Sequence, residues 1–298
     1  MINDKHAYLI IAHNEPKVLA TLFKCIDDRR NDVYLHIDKK SKQLFDEFLN
    51  FKLKHSKVIV LTNRIDVRWG SFSQVLCELL LMRTARENGD YRYYHLLSGV
   101  DLPIKSQNYI HEFFGRTNKN FIGLANGDCA KEDVRRKMYN YNLFYSYRKS
   151  NFILRNLTKI LRFTFNFFLC HTFKRPFDME YKKGANWFSI TQPLVNYILE
   201  NEKFIKSRFK YTFCADEIFI QSLVWNNTGW RKTLYSLDDE FEGCMRLIDW
   251  NRGKPYVWTT SDLDELTMSD RLFARKFSSQ HMDVVDWIKD TFSKTEEQ

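Results

Sequence analysis

The first hundred residues alternate uninterrupted apolar runs with apolar residues at helical spacing, and this alternation constrains the fold more than any other feature of the chain. Ala7-Tyr8-Leu9-Ile10-Ile11-Ala12 ends at His13-Asn14-Glu15-Pro16 and is followed by Val18, Leu19, Leu22, Phe23 and Ile26. The pattern predicts strand, turn, helix. It recurs from Val33 to Ser41, a strand ending in polar residues, with a helix through Leu44, Phe45, Phe48 and Leu49. Val58-Ile59-Val60-Leu61 makes a third strand. After Trp69-Gly70-Ser71-Phe72-Ser73, a helix carrying Val75, Leu76, Leu79, Leu80 and Met82 leads to the strand Tyr93–Ser98. Strands alternating with helices predict the α/β class, a mostly parallel sheet with helices on both faces. Ligands of such sheets bind beyond the carboxyl ends of the strands. His13-Asn14, Asp38-Lys39-Lys40 and Ser98-Gly99-Val100-Asp101 all fall there and imply one shared pocket. The glycine patterns of dinucleotide-binding turns and P-loops are absent from the sequence, so those enzyme classes lose their main support.

Charge is concentrated in one segment. Of the 46 Lys and Arg, ten lie between Arg135 and Arg175, where there is no Asp or Glu; the rest of the chain sets 36 basic against 37 acidic residues, so the net +9 belongs to this stretch. Its cations are interleaved with Tyr139, Tyr141, Phe144, Tyr145, Tyr147, Phe152, Phe163, Phe165, Phe167 and Phe168. Three readings compete: a membrane-surface helix from about Phe152 to Phe173, a nucleic-acid patch, or a solvated basic face whose aromatics are core. No recognised nucleic-acid motif accompanies the segment, and nucleic acid is not expected as a partner. With 298 residues, ten Gly and five Pro, and no Gly/Ser- or Pro-rich linker, one compact unit is expected, with residues 1–128 and 181–298 on either side of a basic aromatic helical insertion at 129–180. The six cysteines have no metal-ligand spacing and read as buried free thiols, and the N-terminus shows no signal peptide or anchor helix. A cytoplasmic protein is expected.

Two adjacent carboxylates, Asp216 and Glu217, open the apolar run Ile218–Trp225. An acid in the first turn of a helix favours its dipole and bonds orphan N–H groups, which gives one of the pair a structural task and leaves the other for chemistry. In Arg271-Leu272-Phe273-Ala274-Arg275-Lys276-Phe277, apolar neighbours should anchor two adjacent cations able to clamp a diphosphate. Asn186 and Trp187 follow Gly184 at the entry to another strand. Trp187 and Trp69 could each stack on a sugar ring or be core. His13 and His36 lie at strand ends and read as hydrogen-bonded or nucleotide-contacting histidines rather than metal ligands. The Asp-x-Asp triplet Asp262-Leu263-Asp264 follows no apolar strand and reads as a solvated loop, so no metal is expected.

In chain order, Ala12-His13-Asn14, Leu35-His36-Ile37-Asp38-Lys39-Lys40-Ser41, Val67-Arg68-Trp69-Gly70-Ser71, Leu97-Ser98-Gly99-Val100-Asp101-Leu102-Pro103-Ile104, Gly184-Ala185-Asn186-Trp187-Phe188, Ala215-Asp216-Glu217, Met245–Trp250 and Leu272–Phe277 resemble a glycosyltransferase family over nearly the whole chain. It is the family of core-2/I-branching β-1,6-N-acetylglucosaminyltransferases and peptide O-xylosyltransferases. Asn251-Arg252 and Ala274-Arg275-Lys276-Phe277 are nearer its xylosyltransferase branch. The resemblance implies a Rossmann-type GT-A fold and an inverting, metal-independent transfer from a UDP-sugar to an acceptor hydroxyl, in a bacterial-type member. By family position Glu217 is the general base. Arg275, Lys276 and Arg246 match the diphosphate-binding end, Asp38 a uridine or ribose contact beside His13, and Trp69, Asp101, Asn186, Trp187 and Asp216 the substrate side. GlcNAc is the first expectation for the sugar, a glycan or lipid-linked oligosaccharide for the acceptor, and surface polysaccharide synthesis for the role. The basic segment then suggests peripheral contact with an anionic membrane at the inner face of the cell membrane. One alternative is a xylosyl- or hexosyltransferase of the same family; the other is a non-catalytic glycan- or nucleotide-binding protein on the same fold, which the presence of Glu217 and Lys276 argues against.

Overall fold

The computed structural model describes residues 4–139, 141–142, 152–172, 175 and 178–293. β1 (His6–Ala12), β2 (Asn31–Ile37), β3 (Lys57–Val60) and β4 (Tyr93–Ser98) are parallel, with Ile10 of β1 opposite Leu35 on one side and Leu97 on the other. β6 (Phe121–Ile122) and β7 (Phe188–Thr191) complete a six-stranded sheet of order β3-β2-β1-β4-β7-β6, β7 being antiparallel to both neighbours. A small second sheet of order β5-β9-β8 joins β5 (Asp101–Pro103), β8 (Arg246–Ile248) and β9 (Phe273–Arg275), with Asp101 opposite Arg275.

Helices cover both faces, as the alternating pattern predicts. Successive strand residues point to opposite faces, and β1 sorts accordingly. Ala7 and Leu9 join a core with α3 (Ser73–Asn88), α7 (Gln192–Glu200), α8 (Glu202–Phe209) and α9 (Phe219–Trp225). Tyr8, Ile10 and Ala12 join a second core with α1 (Pro16–Cys25), α2 (Lys42–Phe48), α4 (Gln107–Gly115), α12 (Leu263–Met268) and α13 (Met282–Phe292). Burial on both faces is why these strands are runs of apolar residues rather than alternating ones. The short helices α10 (Thr228–Arg231) and α11 (Glu240–Cys244) lie between α9 and β8. Cys25, Cys77, Cys214 and Cys244 are buried free thiols, and Cys129 is free and exposed.

The basic segment begins in α5 (Asp128–Tyr139) and contains α6 (Phe152–Thr172), the helix expected over Phe152–Phe173. Phe144, Tyr145 and Tyr147 lie outside the described residues. The reading of its aromatics as core fails for Tyr139, Phe152, Phe163, Phe165, Phe167 and Phe168, all of which are exposed. No helix among the described residues is long and apolar enough to cross a membrane.

Candidate active site

Asp216 and Glu217 sit in a single 3-10 turn, Ala215–Glu217, one residue ahead of α9 and not in its first turn. The loop leading into it is fixed by the Trp69–Gly70 corner. Cys214 donates its N–H to the Gly70 carbonyl at 3.0 Å. Gly70 has φ +73°, and a Cβ there would stand 2.2 Å from the Phe213 ring, so only glycine permits this approach. Gln74 of α3 accepts the Gly70 N–H and donates from Nε2 to Asp216 Oδ2 at 2.8 Å. Trp69 itself is 56% exposed and edge-on to Phe213, with ring centroids 5.4 Å apart.

The two acids have opposite environments. Asp216 is 4% exposed and its Oδ1 has no hydrogen-bond partner among the described residues. Burial, reinforced by the nearby Glu217 charge, pushes its pKa up to about 7. It caps no helix, and its burial corrects the expectation of a substrate contact; its side chain packs inward and holds the loop through Gln74. Glu78 of α3 is also buried, with both carboxylate oxygens unpartnered among the described residues and its pKa driven far up by burial and then by Asp216. Glu217 points outward, its side chain 35% exposed. Its Oε2 is 2.7 Å from Lys137 Nζ and 4.0 Å from Lys183 Nζ, and those two ammonium groups also hold Asp133 at 2.9 and 2.7 Å. Burial of Lys137 is the largest single influence and lowers its pKa, but the charge and hydrogen bond of Glu217 and the bond to Asp133 together outweigh it and raise the pKa. Hydrogen bonds from Lys183, Lys137 and Arg136 overcome burial to hold Asp133 well below the usual carboxylate range. Glu217 Oε1 has no hydrogen bond among the described residues.

One backbone bond and one stacking contact link the Glu217 turn to Arg275. Gly184 donates its N–H to the Glu217 carbonyl at 2.9 Å, and a Cβ on Gly184 would lie 1.9 Å from the Gly123 carbonyl oxygen. Asn186 and Trp187, both half-buried, follow this backbone crossing in the chain. The Arg275 guanidinium stacks 4.1 Å from the centroid of Trp187, a cation–π contact, and its Nε is 3.6 Å from Asp101 Oδ1. Lys276, the next residue, is half-buried. Glu15, the residue before α1, accepts from Ser278 Oγ at 3.0 Å and Ser279 N at 2.8 Å. These bonds, helped by the Lys276 charge, overcome burial and keep its carboxyl below the ordinary range.

The strand-end clusters meet as the sheet topology requires. Asp38 donates its N–H to the Ala12 carbonyl, and Gly99 its own to Ile11, both at 2.9 Å. His13 is exposed, and its carbonyl accepts the Ser41 hydroxyl at 2.7 Å. Three expected ligand contacts have internal tasks instead. Asp38 is buried, accepting Lys40 N at 2.9 Å with Lys40 Nζ at 3.0 Å. Asp101, 1% exposed, accepts Ser98 N and Oγ at 2.8 and 2.6 Å, closing the turn and steadying Arg275. Arg246 is the largest departure from expectation. It is 1% exposed over Phe273, and it donates to the carbonyls of Cys244, Phe188 and Leu96 and to Ser189 Oγ. Burial lowers its pKa to about 10. This side chain ties β8 to β4 and β7 and has almost no exposed surface to offer a ligand. His36 is structural, accepting Ile65 N at 2.9 Å, with its pKa lowered by burial to about 4.

Among the described residues, no group of three or more His, Cys, Asp or Glu side chains is placed to hold a metal ion. Asp262 of the Asp-x-Asp triplet is occupied by Thr259, in a capping box, and by Arg252. Sequence reasoning missed Lys137, Asp133, Lys183 and Gln74. The one available signal was the Asp133–Lys137 spacing, which places the two residues one turn apart on a helix.

The sequence profile of the core-2/I-branching enzymes matches residues 6–271, which takes in every element of this site up to β8. The chain belongs to the core-2/I-branching enzyme family. Within the family, rat xylosyltransferase 1 is 23% identical over 304 residues, covering 92% of this chain and 33% of the relative, and rat xylosyltransferase 2 is 23% identical over 303 residues, covering 92% and 32%. This chain thus spans about a third of the length of the curated relatives it matches. The apo crystal structure of mouse xyloside xylosyltransferase 1 is similar over 91% of this chain and 96% of that one, at 12% identity and a TM-score of 0.37, too distant to bear on the site.

Proposed function

We propose that this glycosyltransferase-family chain moves one sugar from a UDP-sugar to a hydroxyl of a glycan acceptor, with inversion and without a metal. The supporting observation is that Gly184, bonded to the Glu217 carbonyl, leads within three residues to Trp187, on which Arg275 stacks, while Asp101 beyond the end of β4 lies beside Arg275. A single inverting displacement needs a base on the acceptor face and positive charge on the leaving-group face. Glu217 offers the base: Oε1 accepts the acceptor proton while Lys137 and Lys183 hold the other oxygen. Arg275 and Lys276 meet the departing diphosphate, and the oxygen that attacks the anomeric carbon loses its proton to Glu217 as the bond to UDP breaks. The exposed Trp69 offers a flat apolar face to a sugar ring, and Trp187 backs Arg275. Surface polysaccharide synthesis, with the acceptor on a lipid carrier, is the setting we favour.

GlcNAc remains the first choice of sugar, and the xylosyltransferase relatives make xylose its rival. UDP release from a panel of UDP-sugars in EDTA, with thermal protection by UDP followed in parallel, tests the reading. Release from one donor in EDTA supports it and names the sugar. Strict dependence on added metal overturns the metal-free chemistry, and no binding or release from any UDP-sugar returns the chain to the binding-protein alternative.

A further inference from the structure

α6 turns its apolar face away from the protein. Ile153, Leu157, Ile160, Leu161 and Phe168 recur at helical spacing along one face, and with Phe152, Phe163 and Phe167 they are 41–78% exposed. Thr158, on another face of the helix, is buried. Arg155 and Lys159 are exposed one turn apart, the sequence adds Arg162, and the helix contains no acid. Clusters of this size are uncommon on soluble surfaces and mark interaction sites.

Both ends of the excursion are tied to the loop that carries the catalytic candidate. Before α6, Asn142 donates its N–H to the Tyr211 carbonyl at 2.9 Å. After it, the buried Arg175 donates to the Arg208 carbonyl at 2.6 Å and to Thr212 Oγ1 at 2.9 Å. The same chain continues through Phe213 and Cys214 into the Glu217 turn.

We infer that α6 docks the protein on the surface of an anionic phospholipid membrane, lying in the interface with Ile153, Leu157, Ile160 and Phe168 inserted and its cations at the headgroups. Charge selects this occupant: Arg155, Lys159 and Arg162 share a helix that contains no acid, and a basic, aromatic-rich amphipathic helix matches an anionic interface. A neutral apolar protein partner would leave those charges unanswered. Docking sets the acid turn close to the bilayer, where a lipid-carried acceptor would present its hydroxyl. The inference does not depend on which sugar is moved, or on transfer at all.

The test is co-sedimentation of the whole chain with phosphatidylglycerol and phosphatidylcholine vesicles across a salt series. Binding should favour phosphatidylglycerol and weaken with salt. The double variant Arg155→Gln/Lys159→Gln should bind about 25-fold more weakly, at about fivefold per cation. The triple variant Ile153→Ser/Leu157→Ser/Ile160→Ser should lose binding by more than about tenfold. Circular dichroism and melting should stay unchanged, because these side chains are exposed. In the unmodified protein, amide exchange over Phe152–Thr172 should slow on phosphatidylglycerol vesicles, a readout that needs no variant. Indifference to lipid charge, unslowed exchange, or self-association through α6 without vesicle binding would each overturn the inference.

Discussion

Replacing Asp216 by Asn should stabilise the protein, and only above mildly acidic pH. The Asp216 carboxyl is buried beside Glu78 and Glu217, and its pKa rises from 3.8 to about 7. A raised carboxyl reverses the usual sign. The folded state keeps the proton up to about pH 7, whereas the unfolded chain releases it near 3.8, so the folded state binds more protons in that window and stability falls as pH rises through it. At about 1.4 kcal/mol per unit, the penalty reaches roughly 4 kcal/mol at pH 7 and above. That figure is a ceiling, because water entering the site would reduce it. Asn keeps the shape, and its amide oxygen can accept Gln74 Nε2 as Asp216 Oδ2 does. Thermal melts of both proteins from pH 4 to 8 should coincide near pH 4 and separate progressively, with the variant higher by about 5 °C or more at pH 8, at about 2 °C per kcal/mol. A variant less stable than the parent by the same margin at every pH would show that Asp216 is ionised and well partnered, and would refute the reasoning.

Two further substitutions probe the frame around the acid turn. Gly184→Ala drives a Cβ to 1.9 Å from the Gly123 carbonyl, a backbone clash that no side-chain motion relieves; it should cost about 3 kcal/mol or more in denaturant melts, and transfer should fall with it because the Gly184 bond to the Glu217 carbonyl is lost. Arg246→Met leaves three carbonyls and a hydroxyl without their donor; it should lower stability by about 3 kcal/mol. UDP affinity, measured by calorimetry below the melting transition, should stay unchanged, whereas a large loss of affinity in a stably folded Arg246→Met protein would return Arg246 to the diphosphate.

The parts of this molecule legible in its sequence are those set by local pattern. The runs Ala7–Ala12 and Tyr93–Ser98 are apolar because they are buried on both faces, and the helices between them carry a one-face spacing, so the sheet and its layers could be read directly. α6 was legible as a helix, but spacing alone does not say whether an apolar face is covered, and its exposure emerged only from the fold. Arg246 was assigned to the diphosphate by family position, and a three-residue strand offers no periodicity that could have shown it buried in β8 beside β9. The Lys137–Glu217 pair joins residues 80 positions apart and left no local trace. Asp216 and Glu217 are chemically alike in sequence and differ only in the packing of Gln74 and Glu78 behind the first, which no neighbouring residue announces.

The account rests on Glu217 as the proton acceptor, and the most direct measurement compares sugar transfer by the parent protein and Glu217→Gln, with UDP affinity determined on the same preparations. Loss of a general base should slow transfer by about 10²–10⁴-fold while UDP binds as before, since Arg275 and Lys276 are untouched. Transfer by Glu217→Gln at close to the parental rate, in a protein that still binds UDP, would contradict the assignment.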